Sequence, residues 1–271
     1  MNALKIGSQA HRTSAISSAN EDTILVRGRD LCGELIGRVS FTDHIWLLVT
    51  GQMPNDVQRR VLDATLVAIA EHGLVPSVQA SRMTLAAAPE ALQGAVAAGI
   101  LGCGSVILGA SQNAGQLLHD VVTRASSAAV DAAAQEVAGE YRAAQRSIPG
   151  YGHPLHKKGD PRVVRLFDVA VEVGCRGRYC EAAHAIERVL PGVTGKALAM
   201  NVSVAIPAVL LDAGFPLDAL RGVPILARTA SLIAHLLEEQ SRPIGFVLSH
   251  AGAAAIGYDG PAPDGFVPRD Q

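Results

Sequence analysis

Apolar positions along this chain recur at three- and four-residue spacing, not in alternation. Over Asp56–His72, residues Val57, Val61, Leu62, Leu66 and Ile69 fall on one helical face, and Gly73 follows as a helix stop. Phe41–Gly51 reads as a second helix, with Thr42 or Asp43 available as a cap and a glycine at its end. Further helical runs are predicted over 76–88, 89–104 and the alanine-rich 113–143. After a turn at 147–153, more follow over 160–174, 177–189, 194–212, 216–220 and 222–238. Residues 1–22 form a polar leader, and Thr23–Leu31 reads as a short extended or looped segment. The tail from Tyr258 is rich in proline and glycine and is predicted to be an arm or disordered. No segment sustains apolar–polar alternation, so the fold class is all-α.

Composition sharpens this picture. Hydrophobic residues make up 49% of the 271 residues but aromatics only 4%, so the core is built from Ala, Val, Leu and Ile, which suit close helix packing. Ala91–Ala110 carries only Gln93 and Ser105 as polar residues, close to the length of a bilayer span. It lacks an aromatic belt and basic flanks, so a buried central helix followed by a Gly-rich turn is expected, and no membrane association. A net charge of −2 carries no footprint for nucleic acid. Cys32, Cys103, Cys175 and Cys180 show neither C-x-x-C nor zinc-ligand spacing and read as thiols in a reducing compartment. The nine histidines are scattered and no G-x-G-x-x-G follows a strand, so no metal or tightly bound redox cofactor is implied. The first residues lack the apolar centre of a signal peptide, and a cytoplasmic location is expected.

The segment richest in candidate chemistry is Pro149-Gly-Tyr-Gly-His153-Pro-Leu-His156-Lys157-Lys158-Gly-Asp160-Pro161-Arg162. Its glycines permit close approach of a ligand to the backbone, Lys157 and Lys158 add positive charge, and His153 stands where the loop would present it. Asp160 and Pro161 then read as N-cap and first residue of a helix whose first turn holds Arg162. From spacing alone this is an anion-handling loop leading into a capped helix, or an ordinary basic turn.

That run resembles the signature of the citrate synthase and citryl-CoA lyase superfamily, G-[FY]-G-H-x3-[RK]-x2-D-P-R, and matches it at each fixed position. Three other segments agree in order and spacing: Thr23–Pro54, Glu71-His72-Gly73, and Asn201-Val202 through Arg228 and His235 to Arg242-Pro243. The resemblance covers residues 23–245. It implies a helical fold with a large and a small domain and the site between them. Residues 1–115 would begin the large domain, 116–225 would form the small one, and 226–271 would return to the large one. It implies a homodimer with Arg242 reaching across the interface. His153 would act on the substrate hydroxyl or carbonyl oxygen, and Arg162, Arg228, Arg242 and His72 would bind substrate. Lys157 and Lys158 would lie near coenzyme A phosphates, and Pro149, Gly150, Tyr151 and Gly152 would hold its adenine end. The partners implied are an acyl-CoA, as substrate, and a small carboxylic acid. Planar guanidinium groups suit such acids because they bind carboxylates bidentately.

Two catalytic positions of that family are altered. In place of G-P-x-H-G-G-A-N the chain reads Gly109-Ala-Ser111-Gln112-Asn-Ala-Gly115-Gln116, which puts Gln112, or Ser111 one residue earlier, where a histidine is usual. In place of N-V-D it reads Asn201-Val202-Ser203. A serine hydroxyl without an activating neighbour is a poor base for a thioester α-proton. Gln112 is still able to donate to an enolate oxygen, and Ser203 to hold a water or a substrate group. Cleavage of a 3-hydroxy-acyl-CoA, citryl-CoA or a relative, fits this pattern better than condensation, and the short length also looks like the citryl-CoA lyase branch. The alternatives are a citrate synthase-type acyltransferase and a catalytically weak homologue that binds coenzyme A or a carboxylate.

Overall fold

A computed structural model describes residues 13–125, 129–152 and 159–266. Within the leader and the segment after it lies a small antiparallel meander, absent from the all-helical expectation. Its strands are β1 (Ser17–Ala19), β2 (Ile24–Val26) and β3 (Arg29–Asp30), paired in that order. Arg27 and Gly28 both take positive φ, 50° and 78°, which closes β2–β3 as a two-residue hairpin. The strands are too short to register as alternation. Their anchor is tertiary: the Arg27 guanidinium donates to the Leu48 carbonyl at 2.6 and 3.0 Å.

The rest is helical, and several boundaries follow from local chemistry. A π-helical turn, Leu31–Leu35, leads to α1 (Phe41–Thr50), whose cap is Ser40, reciprocally bonded with Asp43, not Thr42 or Asp43 alone. Asn55 and Gln58 form the same box at the start of α2 (Asp56–Ala70). Next come α3 (Pro76–Ala87) and α4 (Leu92–Leu101). A π-helical turn at Gly104–Leu108 separates α4 from α5 (Gly109–Arg124), and the two runs meet at a 70° bend. The predicted helix over 113–143 is therefore two helices, α5 and α6 (Val130–Ala143). Asp160 caps α7 (Pro161–Glu172) with Pro161 in its first turn, as expected. α8 (Arg178–Thr194) runs through Pro191 to stop at Gly195, which is left-handed at φ 74°. The expected helix over 194–212 is confined to α9 (Val202–Asp212), because 195–201 is non-helical, beginning with the left-handed Gly195. α10 (Gly222–Ser241) is followed by α11 (Gly245–Ala255), a helix the sequence reading did not anticipate.

These helices pack as two groups. The first surrounds α9, whose residues from Val204 to Leu210 are buried, with α5, α7 and α8 against it and α6 on α5 and α8. Alanines let these helices approach closely: Ala182, Ala183 and Ala185 of α8, with Ala133, Ala134 and Ala138 of α6, belong to one core. Asp212, at the end of α9, accepts from the backbone N–H groups of Gly177, Tyr179 and Cys180 and so caps α8 from a neighbour. The second group is α3, α4, α10 and α11, with a small core of Leu85, Ala95 and Leu236. It is braced by Arg82 and Glu239, 2% and 4% exposed and 2.5 Å apart. Helix α2 touches α7 and α9 on one side and α10 on the other, and so joins the groups.

The apolar run Ala91–Ala110 is not a buried central helix. In α4 only Ala95 and Gly99 are buried, while Leu101 is 82% and Val106 87% exposed. Leu237, Phe246 and Val247, on α10 and α11, are exposed as well. Leu217–Ser241 is also long and apolar enough to cross a bilayer, though it holds Arg228 and packs along α2, α3 and α4.

Candidate functional site

The site forms where α2 ends between α7 and α10, and it is organised around two arginines. Arg162 stands in the first turn of α7. Its Nε and Nη2 grip the Asp160 carboxylate at 2.9 and 2.7 Å, while Asp160 also accepts from the backbone N–H groups of Arg162 and Val202. Asp160 is 2% exposed. Burial alone would raise its pKa, but the bonds and charge from Arg162, with the Val202 N–H, outweigh that and hold it below the usual aspartate range.

Arg228, in the second turn of α10, is 6% exposed, and its Nη1 is buried without a hydrogen-bond partner among the described residues. Burial pushes its guanidinium below the usual arginine range, opposed by the charges of Cys103 and Glu71 and reinforced by that of Arg162. The two cations are thus near enough to feel each other. A buried guanidinium with an open N–H, repelled by a second one, is a strong acceptor of an anion, because a carboxylate removes both penalties.

His72 follows the end of α2 and is half-buried. Helix α2 stops at Ala70, two residues earlier than the periodicity suggests. The Glu71 side chain folds back to accept from the backbone N–H of His72 at 2.8 Å and of Gly73 at 2.5 Å, and Gly73 turns left-handed at φ 71°. The outer oxygen of Glu71 accepts from the Ser231 hydroxyl and lies 3.0 Å from His235 Nε2. On the other side of α2, facing α7, lies an open groove of about 420 Å³ whose lining includes Arg162 with Arg60, Asp63 and Arg165.

The loop before His153 is pinned to the segment before α9. Asn201 donates its backbone N–H to Gly150 O at 2.9 Å and its side-chain amide to Gly152 O at 2.7 Å, and Gly152 N–H donates to Ala199 O. Asn201 also caps α9 through Ser203 N–H at 2.9 Å, so Ser203, half-buried, stands in the first turn beside the loop. Gly150 is at φ 90°, and a Cβ there would lie 2.4 Å from Val204 Cβ. Tyr151 is buried and donates to Ala183 O at 2.8 Å. Several backbone groups expected to be open to a ligand are therefore engaged in holding the loop. His153, Lys157 and Lys158 lie outside the described residues.

Gln112 is half-buried in the first turn of α5, next to the buried Ser111, and no hydrogen bond joins either to the arginines among the described residues. Arg242 is exposed at the end of α10. At ~1.5 Å per residue it stands about 21 Å along the axis from Arg228, so the two do not share a site within one protomer. Its backbone is fixed, with N–H donated to Glu238 O and its carbonyl accepting from Arg82.

The sequence reading missed two sets of residues. Ser231 and His235 repeat at one and two turns beyond Arg228, a spacing visible in the sequence but without meaning until Glu71 meets them. Arg142, Arg146 and Lys196 line a hollow of about 280 Å³ with Ser147, Ile148, Tyr151, Thr194 and Leu198. Three cations face it with no carboxylate in that lining, and Arg146 also stacks on Tyr141, 4.1 Å from the ring centre. Among the described residues, no group of three or more His, Cys, Asp or Glu side chains is placed to hold a metal ion.

The family model for the citrate synthase C-terminal domain matches residues 40–245. Citrate synthase of Heyndrickxia coagulans is 25% identical over 221 residues, covering 74% of this chain and 52% of the relative. Citrate/2-methylcitrate synthase of Bacillus subtilis is 24% identical over 208 residues, covering 75% and 53%. The chain thus spans about half the length of the curated relatives it matches. Among solved structures, citryl-CoA lyase from Hydrogenobacter thermophilus superposes with a TM-score of 0.83 at 30% identity, over 95% of this chain and 97% of that one. ATP citrate lyase from Methanothrix soehngenii, in complex with citrate and coenzyme A, superposes at 0.75 and 22% identity over 95% of this chain and 43% of that one, a likeness of fold.

Proposed function

The chain belongs to the citrate synthase family, and from that premise we propose that it is a carbon–carbon lyase of citryl-CoA type. It would cleave a 3-hydroxy-acyl-CoA, citryl-CoA or a relative, to an acyl-CoA and a keto acid. The observation that carries this reading is Arg228, buried with an open Nη1 and within electrostatic reach of Arg162. The open guanidinium fits a carboxylate of a citrate-like acid, with His72 at the end of α2 as a second contact, while Arg162, its fork taken by Asp160, adds positive charge nearby.

The direction follows from what stands at the head of α9. Ser203 supplies a hydroxyl there and no carboxylate, so the chain has at that position no base for a thioester α-proton. Cleavage needs at that carbon an acid for the enolate and not a base, and water can serve. His153 takes the proton of the substrate hydroxyl, the bond between the hydroxyl-bearing carbon and the thioester α-carbon breaks, and its electron pair becomes the enolate. Gln112 donates to the enolate oxygen, and water supplies the last proton. Likeness to citryl-CoA lyase along nearly the full length of both chains supports the same choice.

The coenzyme A would lie along the Pro149–Gly152 loop, its phosphates toward the hollow of Arg142, Arg146 and Lys196, with Lys157 and Lys158 as further candidate phosphate contacts by sequence. A homodimer would cover the exposed apolar side chains of α4, α10 and α11 and bring the partner's Arg242 to the site. Light scattering that finds a monomer at working concentration removes this last element.

Thiol release and keto-acid formation, measured with citryl-CoA and separately with acetyl-CoA plus oxaloacetate, test the reading. Citryl-CoA cleavage that disappears in His153→Ala is the expected result. Condensation faster than cleavage reverses the assignment to a synthase. Silence in both directions with coenzyme A still bound points to another acid or a binding role.

A further inference from the structure

We infer that Glu71 is a positioning residue of the carboxylate site, a counter-charge that steadies Arg228 without occupying its fork. The inference rests on the reading of Arg228 as a carboxylate-binding residue.

Glu71 ends α2 with a carboxylate that takes four donors. The backbone N–H groups of His72 and Gly73 reach Oε1 at 2.8 and 2.5 Å. The Ser231 hydroxyl donates to Oε2, and His235 Nε2 lies 3.0 Å from it. Ser231 and His235 follow Arg228 by three and seven residues, so all three share one face of α10. The same carboxylate therefore sets the chain at His72 and stands over the helix face that carries Arg228.

It makes no hydrogen bond to Arg228, yet its charge supports the protonated guanidinium against burial. Hydrogen bonds from Ser231, Gly73 and His72, with the charge of His235, outweigh burial and hold Glu71 below the usual glutamate range, so it remains the anion this role requires. A direct pair would close the fork, as Asp160 does with Arg162; no counter-charge at all would leave a buried cation opposed only by Arg162. Glu71 sits between these extremes because its own lone pairs are directed to other donors.

A urea-unfolding double-mutant cycle of the full chain at neutral pH tests this, with E71Q, R228M and E71Q/R228M. If Glu71 acts through Arg228, the fall in midpoint caused by E71Q shrinks by at least half in the R228M background. Equal falls in both backgrounds make Glu71 a simple brace between α2 and α10 and overturn the inference. Should E71Q alone not fold, a folded double variant supports the inference and an unfolded one overturns it. Calorimetric titration with oxalate adds a second reading: E71Q weakens binding about tenfold while E71D, which keeps the charge, stays within about threefold of wild type. An E71D loss as large as that of E71Q also overturns it. Failure of the wild type to turn over any citrate-based substrate sinks the proposed function, and the unfolding cycle still decides the role of Glu71.

Discussion

Two arginines meet in this site in opposite states. Arg162, on α7, is held in a fork-to-carboxylate grip by a buried aspartate and so is part of the scaffold: through Asp160 it ties the head of α7 to the head of α9. Arg228, on α10, is more deeply buried and has an Nη1 that nothing in the described structure satisfies. Pairing makes the first stabilising and geometrically fixed. Lack of pairing makes the second unfavourable in the empty protein and receptive to an anion. The lesson is that residue type alone did not distinguish the two: both are arginines in a predicted carboxylate-binding set, and their neighbours separate them.

The sharpest way to break this contrast is Arg228→Met. Loss of two charge-assisted hydrogen bonds to a substrate carboxylate, ~3 kcal/mol, lowers kcat/KM for citryl-CoA at least about 100-fold. Because a buried unpaired charge goes with it, the urea midpoint stays level or rises. A midpoint that falls with activity would mean Arg228 is scaffold too. Asp160→Ala attacks the other side. It removes the α7 cap, the Arg162 pair and the bond to Val202, and it costs roughly 3 kcal/mol of stability, read from urea unfolding.

The pH dependence sharpens the same point. Asp160 has a folded pKa below its unfolded value, so its contribution is complete above about pH 4, the unfolded range, and is lost as pH falls through the lower folded value. Asp160→Ala should therefore flatten part of the acid limb of stability below about pH 4, while Arg228→Met changes that limb less, through its coupling to Glu71 alone. Urea midpoints from pH 2.5 to 6 compare the two.

Gly150→Ala, which forces an alanine to φ 90° against Val204, should cost roughly 2 kcal/mol and shift the loop before His153, seen as a fall in both melting temperature and turnover. The smallest effect on stability belongs to Arg242→Ala. An exposed side chain at a helix end changes the melting temperature by less than about 0.5 kcal/mol equivalent. Any large loss of activity there would then come from another protomer's site.

Much of the helical architecture was written locally. The start of α7 at Asp160-Pro161 and the glycine stop of α1 are cap chemistry and need only a few residues, as is the left-handed Gly73 beyond α2. What was misread depended on partners remote in sequence. The extended reading of 23–31 holds for β2 and β3, but β1 and the pairing of the three strands, held by Arg27 reaching Leu48, were not legible. Helix α11, with Gly245, Ser249 and Gly252 in its run, carries little propensity of its own, and its first N–H groups are met by Glu239, itself held by Arg82. The apolar stretch at 91–110 had the composition of a core helix, but α3 and α10 cover α4 on one side only, and Leu92, Leu101, Val106 and Ile107 face outward.

The candidate site divides along the same line. The sequence by itself determined which residue types exist for the chemistry: the His153 loop motif, arginines at 162 and 228, and serine where a carboxylate is usual. Motifs are local, and a match survives without coordinates. Only the tertiary structure decided which arginine is open, that Glu71 stands guard over α10, and that Arg142, Arg146 and Lys196 share one hollow. Those are facts about burial and charge between distant segments, and in an unfolded chain each of these groups is equally hydrated and no two of them are neighbours.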